Sequence, residues 1–482
     1  MAYGLLLMAF KKINMRERIK HIIETEQQNY INELMEFLKI PSVSTDKSYL
    51  KGIRDAADFL LAKLKMAGAD KVELFETKGH PVVYAEKCID ENLPTVLIYG
   101  HYDVQPPDPL ELWNSPPFEP TIRDGKIYAR GACDNKGQLY MHVKVLELLT
   151  KLNTFHCNLK FLFEGEEETG SVSLSTFIQQ HAEMLKADVL LISDTALISN
   201  EQPAIITGLK GICYAEIEVS AHPCDLHSGI YGGVVANPAN ALTKILSRLQ
   251  DDAGKIMIPG FYEGIFPVTD EEKKAMNTAG FKTEGFDPLH LLQENETYTL
   301  AEKTAFLPTL DINGLCSGYT GEGAKTIIPS SAKAKLSMRL VPGQSWRKIA
   351  RSLKAYIQHI ASPHIKVELR ILTACDAVLT PVHSKAFRAA STALSQTFGV
   401  APLPVRIGGT IPVVRMFKDI LNIPSLLMGF GLDSDNIHSP NEHFGISNFL
   451  KGIETVPLFF EHFALMNKRE MVFETRTQLN VQ

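Results

Sequence analysis

The stretch Pro94 to Asp103, PTVLIYGHYD, limits the folds open to this chain more than any other. An apolar run of strand length ends in His-x-Asp, with a glycine directly before the histidine. A run without polar alternation suits a strand buried on both faces, and open α/β sheets place their chemistry just beyond the ends of such strands. His101 there is placed to ligate a metal, with Asp103 holding its other ring nitrogen. The competing reading is a satisfied structural histidine. The choice rests on whether other strand ends supply matching ligands.

They do. Asn158 to Phe163 is a second buried-type strand and runs into EGEEETG at 164–170. A run of glutamates is ordinarily a solvated charge cluster, but this one follows an apolar strand directly. Ala187 to Asp194 is a third apolar run ending in a carboxylate. Between the first two, GACDNKG at 131–137 opens a helix carrying Leu139, Val143, Leu146 and Leu149, so Asp134 reads either as an N-cap or as a ligand. Near the C-terminus HSPNEH at 438–443 follows the strand Ser425 to Met428, adding a histidine at a further strand end. Three strands thus end in His101, Glu167/Glu168 and Asp194, and His438 completes two ligand sets around a shared carboxylate. Two histidines and three carboxylates suit a pair of divalent ions: zinc first, with manganese open because the set is oxygen-rich.

At 482 residues the chain exceeds what one core serves, so two or three domains are expected. Helices alternate with the apolar strands, as a largely parallel sheet requires. Near Gly208 the texture changes: Gly211 to Ser220 alternates like a half-exposed antiparallel strand, and 238–249 reads as a helix. Strands at 309–316 and 332–341, a helix at 346–360 and a strand at 365–372 then complete a split βαβ sandwich. The expected architecture is an α/β domain over 1–207 and 380–482, interrupted at 208–379 by an inserted α+β, ferredoxin-like domain. Two stretches are decoys. His222 to His227 (HPCDLH) lacks further ligands at zinc spacing, and GYTGEGAKT at 318–326 is no phosphate loop, because Ile-Ile-Pro after it opens no helix.

The charge balance, 49 basic against 55 acidic residues for a net of −6, gives no reason to expect nucleic acid or an anionic membrane as partner. Seven dispersed cysteines with no C-x-x-C pair read as free thiols of a reducing, cytoplasmic setting. Tyr3 to Phe10 is apolar but has neither a basic start nor a cleavage site, so it reads as a frayed leader or strand; Met8 and Met15 are alternative starts.

With these residues assembled, the chain resembles the M20 family of co-catalytic metallopeptidases, and within it the cytosolic non-specific dipeptidase and carnosinase branch. The motifs are GHYDVQP (100–106), RGACDNKG (130–137), EGEEETGS (164–171), SD (193–194), DLHSGIYGG (225–233), GAKTIIP (323–329), MRLVPGQ (338–344), GGTIPV (408–413) and HSPNE (438–442). The resemblance implies that Asp134 bridges two metal ions, with His101 and Asp194 completing one site and Glu168 and His438 the other. It makes Glu167 the general base, with Asp103 behind His101, and the Asp134–Asn135 peptide cis. It assigns substrate contacts to His227, Thr326 and Arg339 on the inserted lid and to Gly409 and Thr410 on the catalytic domain. It also implies a homodimer formed through the lid, His227 reaching into the partner's site. Ile407 departs from the glutamate common before Gly-Gly, which leaves substrate preference open. The activity implied is hydrolysis of dipeptides or short peptides by a metal-activated water. An N-acyl-amino-acid deacylase with the same centre is the alternative, and a peptide-binding protein without catalysis the reading from another class.

Overall fold

The computed structural model of the chain describes residues 14–281 and 297–479. The stretch Tyr3 to Phe10 lies outside them. The chain divides into two compact units: Met1–Thr207 with Thr380–Val405 and Met416–Gln482, and Gly208–Leu379 with Arg406–Arg415.

The first unit is built on strands β1 (Lys71–Phe75), β2 (Val82–Lys87), β3 (Thr95–His101), β4 (Asn158–Glu164), β5 (Val189–Ile192), β6 (Ala204–Leu209) and β7 (Ser425–Leu427). They lie in the order β1-β2-β4-β3-β5-β7-β6. Neighbours from β4 through β3 and β5 to β7 are parallel, whereas β1 with β2, β2 with β4 and β7 with β6 are antiparallel. The sheet is therefore mixed, with a parallel centre, where the sequence suggested a largely parallel one. The short connection at 76–81 can close only a hairpin, and a parallel neighbour needs a longer crossover.

Helices α1 (Met15–Leu38), α2 (Leu50–Ala67), α3 (Lys136–Leu152), α4 (Lys385–Phe398) and α5 (Ile446–Leu479) supply the rest. Leu34, Leu60, Leu146, Leu394 and Phe459 from these helices join Val96, Ile98, Phe161 and Leu191 of the sheet in one buried cluster. Burial on both faces explains why β3 carries no alternation: every residue from Val96 to His101 is buried. α2 stops at Gly68, whose φ of +103° places it in the left-handed region that glycine adopts without penalty.

The second unit holds strands Gly211–Ser220, Thr309–Ser317, Ser331–Leu340 and Lys366–Cys375. Numbered by sequence their spatial order is 2-3-1-4, all antiparallel. Helices Pro238–Leu246 and Trp346–Ile360 press Leu242, Ile245, Leu353 and Ile357 onto the inward residues Ala215, Ile217, Leu336 and Met338. Alternate residues of Gly211–Ser220 are buried, which is the period of two that marks a sheet with one covered face. This is the ferredoxin-like order that the strand–helix pattern suggested.

One boundary differs from the sequence reading. Arg406–Arg415, expected in the returning α/β segment, belongs to the second unit. Hydrogen bonds explain the capture: Lys210 N–H donates to the Gly409 carbonyl (3.1 Å), and Arg406 is paired with Glu272. All seven cysteines are free. No helix among the described residues is long and apolar enough to cross a membrane.

Glu33 ties three helices of the first unit together. Its carboxylate accepts from Lys144 Nζ (2.5 Å) and Tyr140 Oη (2.5 Å) on α3 and pairs with Lys63 Nζ (3.1 Å) on α2. Burial alone would raise the Glu33 carboxyl, but these donors outweigh it and hold it down at about 2, below its ordinary 4.5. A folded pKa below the unfolded one stabilises above about pH 4.5, and that contribution is lost as pH falls toward the folded value. Glu33→Gln is therefore expected to cost about 1–3 kcal/mol in urea unfolding at pH 7. The gap to the parent should narrow between pH 5 and pH 3. A gap constant across that range would show that the charge contributes nothing.

Candidate metal centre

The parallel register brings the three strand ends together. His101 on β3 lies opposite Glu164 on β4, and Tyr99 lies opposite Ile192 on β5, so the chain leaves all three at one edge of the sheet. Two residues past β5 stands Asp194, and a short 3-10 turn past β4 carries Glu167 and Glu168. Gly100 is required by close packing, because a Cβ there would meet Asn135 Oδ1 at 2.9 Å.

Asp134 sits before α3 but does not cap it. The capping position is Asn135, whose side chain makes no capping hydrogen bond. The Asp134 carboxylate instead faces two histidines, Oδ1 3.1 Å from His101 Nε2 and Oδ2 2.8 Å from His438 Nε2. Asp194 Oδ2 is 3.7 Å from His101 Nε2, and Glu168 Oε1 is 3.3 Å from His438 Nε2. His101, Asp134 and Asp194 form one group able to hold a metal ion; Asp134, Glu168 and His438 form another. The Asp134–Asn135 peptide is cis.

The donor set fits divalent cations on three counts. His101 Nε2 and Glu168 Oε1 are buried and make no hydrogen bond, although both point into the ligand groups. The N···O separations of 2.8–3.7 Å bracket the edge of about 3.4 Å that a tetrahedron of bonds near 2.1 Å requires. The field also calls for positive charge. Burial opposes a charge on His101, yet the carboxylates of Asp103, Asp134 and Asp194 outweigh it and hold the imidazole well above its usual range. Asp134 and Glu168 push His438 up to about 10. Burial would raise Asp134, but the two histidines draw it well below the ordinary carboxylate range.

A layer of hydrogen bonds aims these groups. Asp103 accepts the backbone N–H of Glu167 on Oδ1 (3.2 Å) and that of Glu168 on Oδ2 (3.1 Å), while its Oδ1 lies 3.4 Å from His101 Nδ1. The Asp103 carbonyl also hydrogen-bonds His101 Nδ1 (3.1 Å), so this one buried residue holds a histidine and the turn bearing both glutamates. Gln105 Nε2 donates to Glu168 Oε2 (2.7 Å), leaving Oε1 for the centre. Asn135 Nδ2 donates to Asp194 Oδ1 (2.8 Å) and to the Ser193 carbonyl (2.7 Å), leaving Oδ2. Sequence reasoning assigned neither Gln105 nor Asn135 a role; their one signal is a polar side chain within a few positions of a ligand at a strand or helix end.

The glutamates left undivided by the strand-end argument part company here. Glu168 joins a ligand group and Glu167 does not. Burial raises the Glu167 carboxyl well above its ordinary value, and Asp194, Glu168 and Asp134 add to the rise against the pull of His101. Such a group accepts a proton readily.

The remaining candidates lie in the second unit, in two places. His227 is exposed, its Nδ1 accepting from Gly229 N–H (3.0 Å), and it pairs with Ile327 beside Thr326, whose carbonyl accepts from Ser228 N–H (3.1 Å). Arg339 Nη1 donates to Thr410 Oγ1 (2.8 Å), and Thr410 Oγ1 donates to the Lys210 carbonyl (2.6 Å), next to Gly409. Lys210 is a cation that sequence reading missed: burial, helped by Arg339, lowers it to about 8. The decoys stay decoys. His222 Nε2 hydrogen-bonds the Ala236 carbonyl, and Thr326 runs into a two-residue strand rather than a helix.

The family model of Peptidase family M20/M25/M40 matches residues 97–462. The chain is 31% identical over 466 residues to the Cys-Gly metallodipeptidase of Candida albicans, covering 92% of this chain and 96% of that one. The M20 family metallo-carboxypeptidase of Sulfolobus solfataricus superposes with a TM-score of 0.79 at 35% identity, covering 90% of this chain and 99% of the other. Human carnosine dipeptidase 1 does so with a TM-score of 0.77 at 28% identity, over 94% and 99%. A match spanning most of the chain, with both ligand groups inside it, makes this protein a member of the M20/M25/M40 peptidase family.

Proposed function

We propose that this chain hydrolyses dipeptides with two divalent ions, held by His101 and Asp194 on one side, Glu168 and His438 on the other, and Asp134 between them. The observation that carries the reading is the split of the Asp134 carboxylate, one oxygen toward each histidine. Relatives that share nearly the whole chain are metallodipeptidases, which supplies the substrate class. Imidazole and oxygen donors suit zinc, with manganese as the second candidate. Free cysteines throughout support a reducing, cytoplasmic setting.

Bound divalent ions would acidify a water and polarise the peptide carbonyl. Glu167 takes the proton from that water and returns it to the leaving amine nitrogen, a transfer its raised affinity for a proton favours. Asp103 keeps the turn bearing Glu167 in place through two backbone N–H groups. His227 and Thr326 are assigned to substrate, His227 to the developing oxyanion. Arg339, Gly409 and Thr410 are assigned to the substrate carboxylate, which a guanidinium fork matches bidentately. In this reading the second unit acts as lid and as the contact of a homodimer.

The likeness to a metallo-carboxypeptidase favours a second reading, removal of C-terminal residues from longer peptides, since the same carboxylate anchor serves both. N-acyl-amino-acid deacylation remains the alternative for the same centre. Assays of dipeptides, tripeptides and N-acetyl amino acids, each with zinc and with manganese, separate the three. The dipeptidase reading requires the highest kcat/KM on dipeptides.

Three outcomes are expected. Glu167→Gln should keep its metal while kcat falls by about 10²–10⁴, the usual worth of a general base; Glu168→Gln should lose metal in elemental analysis. Equal metal and full activity in both variants would falsify the assignment. Chelation should lower the melting temperature, because the ions gather residues from 101 to 438 and bind the folded state preferentially, by about 2.7 kcal/mol per site at a hundredfold excess over Kd. Melting unchanged after verified demetallation would count against a shared centre. The third outcome concerns subunit exchange: His227→Ala and Glu167→Gln should each be nearly inactive, and mixing them should restore activity through heterodimers with one intact site. Verified exchange without recovery would place His227 in its own subunit's site.

A further inference from the structure

Glu442 lies in the HSPNE motif, four residues beyond His438, and is fully buried. Its carboxylate collects four donors from a single stretch of chain. Oε2 accepts from Arg130 Nη1 (2.7 Å) and Gly131 N–H (2.9 Å), and Oε1 accepts from Cys133 N–H (3.0 Å) and Asp134 N–H (3.0 Å). The backbone continues the join, with Ala129 N–H donating to the Glu442 carbonyl (3.1 Å) and His443–Gly445 pairing antiparallel with Lys126–Tyr128. The segments 126–134 and 438–445 are thus zipped at one end and clamped by a carboxylate at the other. Just beyond the clamp, one segment presents Asp134 and the other His438, 2.8 Å apart.

We propose that Glu442 is a positioning residue for the metal centre, holding Asp134 and His438 at ligand spacing before any ion arrives. The inference rests on the reading of the centre given above and adds a residue to it. Glu442 itself cannot ligate, because both its oxygens are spent on N–H groups. Its partner Arg130, also buried, donates through Nη2 to the Pro106 carbonyl (3.1 Å) and stacks over Trp113, so the clamp is anchored on a third segment. A neutral pair has a further consequence. Four donors are gathered without adding net charge next to three carboxylates that already repel. No neutral side chain of this size substitutes: the amide of glutamine offers one acceptor oxygen, and its NH2 would face N–H groups.

The test is Mn²⁺ titration of the metal-free protein, followed by electron paramagnetic resonance, with the melting temperature of the same metal-free samples. Glu442→Gln should bind Mn²⁺ about 10–100-fold more weakly, the usual effect of removing a group that orients ligands. Its kcat should recover at saturating metal, since Glu167 and every ligand remain. A residue serving the fold alone would lower the metal-free melting temperature and leave Mn²⁺ affinity within twofold of the parent, and that result overturns the proposal. Parent and Asp134→Asn are titrated alongside. If the parent binds no Mn²⁺, or Asp134→Asn binds it as the parent does, the centre itself is misread. If both behave as the centre requires and Glu442→Gln matches the parent, only the present proposal fails. Should Glu442→Gln not fold, Glu442→Asp, which keeps the charge and shortens the reach, is titrated in its place, and full affinity there overturns the proposal equally.

Discussion

Carboxylates crowded against one another repel, and the first unit is arranged to hold them in that state. Asp103, Asp134, Glu167, Glu168 and Asp194 converge at one edge of the sheet, and Glu442 stands behind them. Four of the five have an N–H or imidazole aimed at them: backbone amides on Asp103, Gln105 on Glu168, Asn135 on Asp194, two histidines on Asp134. Buried charge without such partners is costly enough to unfold a domain. The parallel centre of the sheet makes the arrangement possible, because it delivers three chain exits to one edge while the helices wall the apolar faces from water. His101 Nε2 and Glu168 Oε1 make no hydrogen bond, and both belong to the groups able to hold a metal ion.

How much of this was legible in the sequence follows from where the signals lie. His101, Asp194 and the pair Glu167/Glu168 were visible because each ends or closely follows an apolar run, and a run buried on both faces seldom carries a polar residue until the strand leaves the sheet; which of the two glutamates joins a ligand group was not. Asp134 was ambiguous on its residues alone, since a carboxylate before a helix serves as well for a cap as for a ligand; in the structure Asn135 holds the capping position and the two Asp134 oxygens face His101 and His438. Gln105 and Asn135 were not legible. Their work depends on the direction of one amide, and an amide near a ligand looks like any polar loop residue. The ferredoxin-like order of the second unit was readable from alternation in Gly211–Ser220 and from the succession of strands and helices through 365–372. The capture of Arg406–Arg415 by that unit was not, because it rests on long-range bonds such as Lys210 to Gly409 rather than on any local periodicity.

The two units carry polar clusters of opposite demand. The carboxylate edge of the first calls for cations. In the second, the Arg339 guanidinium donates to Thr410, the pair assigned above to the substrate carboxylate. The same reasoning explains why an amidohydrolase of acylated amino acids is hard to separate from a dipeptidase here: both substrates end in a carboxylate and differ at the other end.

The place of β7 in the sheet has a consequence for biosynthesis. This strand, residues 425–427, lies between β5 and β6, which are complete by residue 209. A chain emerging from the ribosome therefore carries two apolar strand edges with open N–H and C=O groups while the whole intervening unit is made. Four of the five proposed ligands are present throughout that interval and the fifth, His438, is not. Open edges of this kind template pairing with other chains. The interval lasts about ten to forty seconds at ordinary elongation rates. Most of the intervening residues, up to Leu379, belong to the second unit and build a core of their own. Late insertion of one short strand then closes the sheet and brings in the last ligand in the same step.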